Sequence, residues 1–281
     1  MKANFYIIQF LLFVLPYAVN AQKSCCSIAS SGNSMMAFAN DPSFIAAHES
    51  PLPFNYAEQA GKMISFATAD GKNANGYLVK SVTPTNNYLF VFHEWWGLND
   101  YIKQRADELQ KQIGNVNVIA LDMYDGKVTA NPDSAGAYSG GMKEERAENI
   151  IKGAITYAGK NAKIGTIGWC FGGGLSLKAT SLAGKQSVGC VMYYGMPITD
   201  VNKLKQMNCD VLGIFGTKDK WITPEVVAQF EKDMKSAGKI LTVKSYDADH
   251  AFANPSNPHY DKVSAADANA NALEFLKKIF K

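Results

Sequence analysis

The sequence predicts an α/β domain built on a mostly parallel central sheet with helices on both faces. Three observations carry that expectation. From Tyr88 onward, fully apolar runs alternate with amphipathic helical stretches, the pattern of strands buried on both sides. Residues 163–180 spell a strand, a sharp glycine-rich turn and a helix, with Gly168-Trp169-Cys170-Phe171-Gly172 at the turn. The residues best suited to chemistry fall directly after predicted strands, where open parallel sheets place their sites.

The 281 residues, 47% of them hydrophobic, suffice for one large catalytic domain. With 28 basic and 25 acidic residues the net charge is only +3. No basic run is interleaved with aromatics, which argues against nucleic acid as a partner. At the N-terminus, Lys2 is followed by an apolar run over 5–19 and by Val19-Asn20-Ala21. This reads as a signal peptide over residues 1–21, cleaved after Ala21, that sends the protein to the periplasm or outside the cell. The run is short for a bilayer span, so no stable membrane insertion is expected after cleavage. Cys25 and Cys26 follow, but Gln22-Lys23-Ser24 does not resemble a lipobox. Five cysteines are an odd and sparse set for a disulfide framework, and Cys190 and Cys209 read as buried strand residues.

Residues 22–60, rich in Ser, Ala, Asn and Pro, read as an extended lead-in without chemistry, in which His48 is a surface residue. The domain itself is expected over 61–281. A hairpin, 63–68 with 77–82, turns through Asp70-Gly71-Lys72-Asn73. Residues 88–92 form a buried strand. A helix over 99–113 places Ile102, Ala106 and Leu109 on one face. A strand over 116–121, a polar Gly-rich loop over 125–142 and a helix over 144–158 lead to the turn at Cys170. Strands over 188–194 and 211–215 follow. Thr223 caps a helix over 224–236 with Pro224 in its first position. A strand over 240–246 and a helix over 265–280 close the chain.

Cys170 sits where a strand must pass at close quarters into a helix, and Gly168 and Gly172 supply the room. The helix N-terminus beside the sulfur favours a thiolate. A small buried hydrophobe in a glycine-rich turn is the plain alternative. Asp219 follows the strand ending at Phe215, and His250 follows the strand ending at Tyr246. Each alone is an ordinary turn aspartate or a solvated loop histidine. Together, in the order Cys170, Asp219, His250, they match nucleophile, orienting acid and base. At the end of the first buried strand stands His93-Glu94-Trp95-Trp96-Gly97. A His-Glu-x-x-His metal motif fails there because Gly97 holds the second histidine position, so no metal is expected.

The combination of Gly-x-Cys-x-Gly-Gly over 168–173, Glu94-x-x-Gly97, Gly216-x-x-Asp219 with Pro224 beyond, and Asp247-x-x-His250-x-Phe252 resembles the dienelactone hydrolase family. The likeness covers about residues 62–281. It implies an α/β-hydrolase fold and carboxymethylenebutenolidase-like cleavage of an ester or lactone through a thioester, without cofactor. By that resemblance Cys170 is nucleophile, His250 base and then acid, and Asp219 the group that holds the imidazole. Glu94 hydrogen-bonds the resting thiol and helps to deprotonate it when substrate arrives. The backbone N–H groups of Trp95 and Phe171 are the expected oxyanion donors.

Two departures bear on substrate. Members acting on dienelactone hold its carboxylate with arginines, one of them four residues after the histidine, where this chain has Asn254. The loop after Leu121 offers Tyr124 and Lys127 but no arginine, and a lysine lacks the bidentate fork. The expected substrate is a less anionic small-molecule ester or lactone, touched by Trp96, Tyr124, Lys127, Trp221 and Asn254, and the expected working form is a monomer. Two other readings compete. A non-catalytic ligand-binding protein on the same fold would show a filled pocket over Cys170. A thiol redox protein lacks a Cys-x-x-Cys pair here.

Overall fold

The computed structural model describes Met1, residues 38–39 and residues 41–281. The expected signal peptide, most of the lead-in and the Cys25-Cys26 pair lie outside the described residues.

Eight strands form one sheet in the order β1-β2-β4-β3-β5-β6-β7-β8. They are β1 (Lys62–Ala67), β2 (Asn73–Val79), β3 (Asn87–Phe92), β4 (Asn117–Leu121), β5 (Lys163–Trp169), β6 (Ser187–Tyr193), β7 (Val211–Gly216) and β8 (Leu241–Tyr246). β2 runs antiparallel to both of its neighbours, and every other pairing is parallel. The chain winds outward from β3 to β4, then crosses back to lay β5 on the other side of β3. That reversal opens a crevice beyond the carboxyl ends of β3 and β5.

The two faces of the sheet can be read from β5. A Cβ on Gly165 would strike Phe280 and Ile279 at the chain's end, whereas the Thr166 hydroxyl donates to the Ser176 carbonyl at 3.0 Å on the opposite side. Successive residues of a strand face opposite ways, so α5 (Phe171–Ala183) and α8 (Lys262–Ile279) cover opposite faces. α2 (Asp100–Ile113) packs with α8, and α4 (Glu144–Ala158) with α5. α2 starts where the Asn99 side chain accepts from the Ile102 N–H at 3.2 Å and buries Ala106 and Leu109 as its spacing predicts. α6 (Val201–Lys205) packs on α5, and α7 (Pro224–Ser236) packs on α6. Thr223 precedes α7, but its side chain makes no capping bond.

Three expectations need correction. β2 spans Asn73–Val79 rather than 77–82, because Asn73 to Leu78 pair with Ala67 to Lys62 through a tighter turn. The stretch read as a loop over 125–142 holds α3 (Pro132–Gly141). Its Gly and Ser content hides the helix, while Asn131, accepting from the Ser134 N–H at 2.9 Å, and Pro132 start it. The lead-in contains α1 (Pro42–Ala47), capped by Asp41, whose carboxylate accepts from the Ser43 N–H at 2.8 Å. α1 packs on α3, where a Cβ on Gly136 would come within 2.6 Å of the Ala39 carbonyl.

Candidate active site

The turn between β5 and α5 holds Cys170 at φ 52° and ψ −118°. Only glycine fits two residues to either side of it, at 168 and 172. A Cβ on Gly168 would lie 2.1 Å from the Gly172 carbonyl oxygen, and one on Gly172 would lie 2.3 Å from that of Phe92. The non-glycine residues with positive φ among those described are Asp125, Cys170, Tyr194 and Ala251, and the last three meet around one sulfur. Backbone strain gathered at one point marks a site that the surrounding fold enforces.

The loops after β5, β7 and β8 bring Cys170, Asp219 and His250 into a hydrogen-bonded chain. His250 Nδ1 lies 2.6 Å from Asp219 Oδ2, and His250 Nε2 lies 3.2 Å from Cys170 Sγ. The other Asp219 oxygen accepts from the backbone N–H groups of Trp221 and Ile222, both at 2.9 Å. Those bonds fix the carboxylate, and with His250 they hold it below the usual carboxylate range even though burial opposes this. Burial also disfavours a charged imidazole, yet the charges of Asp219 and Cys170 raise His250 well above its ordinary value. The Cys170 thiol is pushed up by burial and by the Glu94 carboxylate against the pull of His250. Desolvation thus outweighs the helix N-terminus, and a free thiolate is not the favoured resting form.

Glu94 lies in the loop after β3. Its Oε1 accepts from the Tyr194 hydroxyl at 3.4 Å and its Oε2 from the Asn254 amide. Burial raises this carboxyl to about 7, against the opposing influence of His250 and the two donors. Asn254 is tied in turn, accepting from the Ser256 N–H at 2.8 Å and hydroxyl at 2.7 Å. Tyr194, unremarked in the sequence, also stands edge-on to His250 with ring centroids 5.1 Å apart. Its place at the end of β6, just before Gly195, was the available signal.

His93 is the hidden support of this loop. Its Nδ1–H donates to the Glu94 carbonyl, and its Nε2 accepts from the Met123 N–H at 3.1 Å. Burial lowers its pKa to about 4, so it is a neutral bracket between the β3 and β4 loops. The Trp95 N–H makes none of the loop and turn hydrogen bonds among the described residues, and the Phe171 N–H points at the Cys170 sulfur, so both face the place where an oxyanion would form.

His48 overturns its reading as a surface residue. It is only 6% exposed, because α1 lays Phe44 and His48 over the Cys170 loop. The His48 ring stands 4.7 Å from Trp95 and 5.3 Å from His250, and the Phe44 ring 5.1 Å from Trp221. The void directly at Cys170 is accordingly about 10 Å³. A cavity of about 330 Å³ adjoins it, bounded by Trp96, Tyr101, Arg105, Trp169 and Tyr260, and Glu94 and Asn254 line both spaces. Of the residues expected near substrate, Trp96 and Asn254 border this cavity and Trp221 stands beside His250. Tyr124 packs on Phe171 with centroids 5.4 Å apart. The structure does not bring Lys127 to Cys170. It is exposed in a separate hollow, over the Tyr138 ring at 5.4 Å.

A family model described as the dienelactone hydrolase family matches residues 74–280. This chain belongs to the dienelactone hydrolase family. The membership makes it a hydrolase of ester or lactone bonds on an α/β-hydrolase fold. Among its relatives is Protein usf of Aquifex pyrophilus, 29% identical over 78% of this chain and 98% of that one. A carboxymethylenebutenolidase of Pseudomonas putida is 32% identical over 45% of this chain and 55% of its own length. A solved dienelactone hydrolase-like promiscuous phosphotriesterase from metagenomic libraries superposes with a TM-score of 0.65 at 19% identity, covering 78% of this chain and 99% of its own, and shares the fold. The family match begins beyond α1, so the segment covering Cys170 lies outside it.

Proposed function

We propose that this dienelactone hydrolase family member cleaves a small ester or lactone with Cys170 as nucleophile. The observation that supports it is the unbroken chain from the Asp219 carboxylate through His250 to the Cys170 sulfur. His250 takes the thiol proton as sulfur attacks the carbonyl carbon. The Trp95 and Phe171 N–H groups hold the resulting oxyanion. Collapse expels the alcohol or enol oxygen, which His250 protonates. Water then attacks the thioester with His250 again as base, and the carboxylic acid leaves as Cys170 recovers its proton. Glu94, with a carboxyl near 7, restrains the resting thiol by like-charge repulsion when ionised, while the thiol's proton goes to His250.

The aromatic walls of the larger cavity, in which Arg105 is paired with Glu108 at 3.3 Å, support an ester or lactone carrying an apolar group. No helix among the described residues is long and apolar enough to cross a membrane. We further propose that residues 1–21 direct export to the periplasm or the medium and that the protein works there as a monomer. An N-terminus at Gln22 in protein recovered from those fractions, with a monomer mass, checks both.

One observation favours a second reading. The space at Cys170 is nearly filled by α1, as a non-catalytic binding protein on this fold would have it. Hydrolysis of p-nitrophenyl esters, simple lactones and dienelactones by wild type, Cys170→Ala and Cys170→Ser separates the two. Turnover that disappears in Cys170→Ala is expected. Equal and negligible rates in all three would transfer the weight to ligand binding.

A further inference from the structure

The cluster of His48, Cys170 and His250 is short of one partner. His48 donates its Nδ1–H to the Phe44 carbonyl at 2.6 Å, which leaves Nε2 as a lone-pair acceptor. That Nε2 is buried and has no hydrogen-bond partner among the described residues. His250 likewise spends its Nδ1 on Asp219, so its Nε2 faces the sulfur. One ring nitrogen of His48, one of His250 and the Cys170 sulfur lie within 4.8 Å of one another. Two imidazole nitrogens and one sulfur therefore converge, and the hydrogen between Cys170 and His250 can serve only that pair. A buried acceptor without a donor costs roughly 1–3 kcal/mol, so the arrangement calls for something to fill it.

We propose that His48, Cys170 and His250 form a three-ligand site for a soft divalent cation, Zn²⁺ foremost, which holds Cys170 latent while bound. The donor set is that of zinc or copper and not of magnesium or calcium, which take oxygen ligands. Each imidazole already has the support that metal-bound histidines use, a backbone carbonyl behind His48 and a carboxylate behind His250. Donors around tetrahedral zinc stand about 3.5 Å apart given Zn–S and Zn–N lengths of about 2.3 and 2.0 Å. The 3.2 Å between Cys170 and His250 is already close to that spacing. In the binding step a Zn–Sγ bond forms, the thiol proton leaves to solvent, and both imidazole lone pairs are taken up. The thiolate and the Asp219 carboxylate balance the cation's two charges. The void of about 10 Å³ beside the sulfur, bordered by Ser256 and Asn257, leaves the fourth position to a water.

The cation is not a cofactor of hydrolysis. It occupies the sulfur and the imidazole that the reaction uses, and it pins α1 over them, since His48 is the only ligand outside the β5 and β8 loops. Coordination stands on its own, whereas latency rests on Cys170 being the nucleophile.

Co²⁺ added to the full-length, metal-stripped protein is the test. A near-ultraviolet thiolate-to-cobalt charge-transfer band is expected, with visible bands of tetrahedral intensity, and Zn²⁺ should abolish both. Cys170→Ser, which retains Cys25 and Cys26, should lose the band. His48→Gln should weaken Zn²⁺ binding by at least about tenfold, and EDTA should restore alkylation of Cys170 in the zinc-loaded protein. Should His48→Gln fold poorly, Phe44→Ala, which removes the ring that seats His48, serves as the second variant with the same expected weakening. A band that survives Cys170→Ser, or zinc affinity unchanged in both His48→Gln and Phe44→Ala, overturns the site. These readouts need no substrate, so failure of the hydrolase reading would leave them interpretable.

Discussion

Two buried neutral histidines flank Cys170, and their difference separates scaffold from site. His93 and His48 each donate Nδ1–H to a main-chain carbonyl, of Glu94 and of Phe44. His93 completes its bonding by accepting from the Met123 N–H. His48 accepts from nothing among the described residues. The saturated ring is part of the frame that holds the Glu94 loop against β4. The unsaturated ring belongs to a segment laid over the frame, and it carries a lone pair with chemistry to spare. Burial and residue type are the same in both cases, so only the hydrogen-bond accounting tells them apart.

The largest effect that would sharpen this contrast is on stability. His93→Ala strands the Met123 N–H in the interior and leaves the Glu94 carbonyl only the Gly97 N–H at 3.4 Å, at roughly 1–3 kcal/mol for the unpaired group beyond the lost packing of the ring. Urea unfolding should show a loss of several kcal/mol for His93→Ala and a clearly smaller one for His48→Ala, whose ring touches the domain only through α1 and its aromatic neighbours. Equal losses would erase the distinction between frame and cover.

Acid provides the next test. Burial depresses His93 to about 4 and His48 to about 3, with neighbouring His250 adding to the latter. A folded-state value below the unfolded one, about 6.5, means that the unfolded chain binds the extra proton. The stabilisation is therefore complete above pH 6.5 and falls as pH drops toward the folded values. For His93 it amounts to roughly 3 kcal/mol, lost from pH 6.5 to 4. The two rings should spend it differently. Protonation of His93 opposes the fold as a whole, whereas α1 can swing out and charge His48 in water while the sheet stays intact. Between pH 6 and 4, fluorescence of Trp95 and Trp221 should change before the far-ultraviolet dichroism does. Coincident transitions would show α1 to be as integral to the domain as β3.

The sheet and the Cys170 loop were legible because their causes are local. Glycines two residues to each side of Cys170 announce a close approach of strand and helix, and apolar runs announce strands buried on both faces. Asp219 and His250 were legible by position, each just past a strand. What the sequence concealed depends on distant partners. The support that His93 gives Glu94 needs Met123, thirty residues on. Tyr194 acquires its role only when β6 lands beside β5. α3 looks like loop by composition and helix only by its Asn131-Pro132 start. α1 carried the same kind of start in Asp41-Pro42, but without an apolar period to draw attention to it, and His48 passed for a surface residue. Nothing near His48 in the chain reveals that the surface awaiting it is made by Trp95, Trp221 and His250.

The smallest and most local effect concerns access to sulfur. If α1 is a cover, Cys170 meets a bulky thiol reagent only in the fraction of molecules whose cover is open, and the rate of labelling reports that fraction when opening is fast. Phe44→Ala removes the ring wedged between Trp95 and Trp221, so it should favour opening without touching the hydrogen-bonded chain of Asp219, His250 and Cys170. Loss of about 1.4 kcal/mol of docking free energy corresponds to a tenfold rise in labelling rate. Cys190, buried in β6 behind Ser176, provides the internal reference, because its labelling requires the sheet itself to open and should not change. A tenfold rise confined to Cys170 would identify α1 as a separable cover. A parallel rise at Cys190 would mean that Phe44 secures the domain and not merely the segment above it.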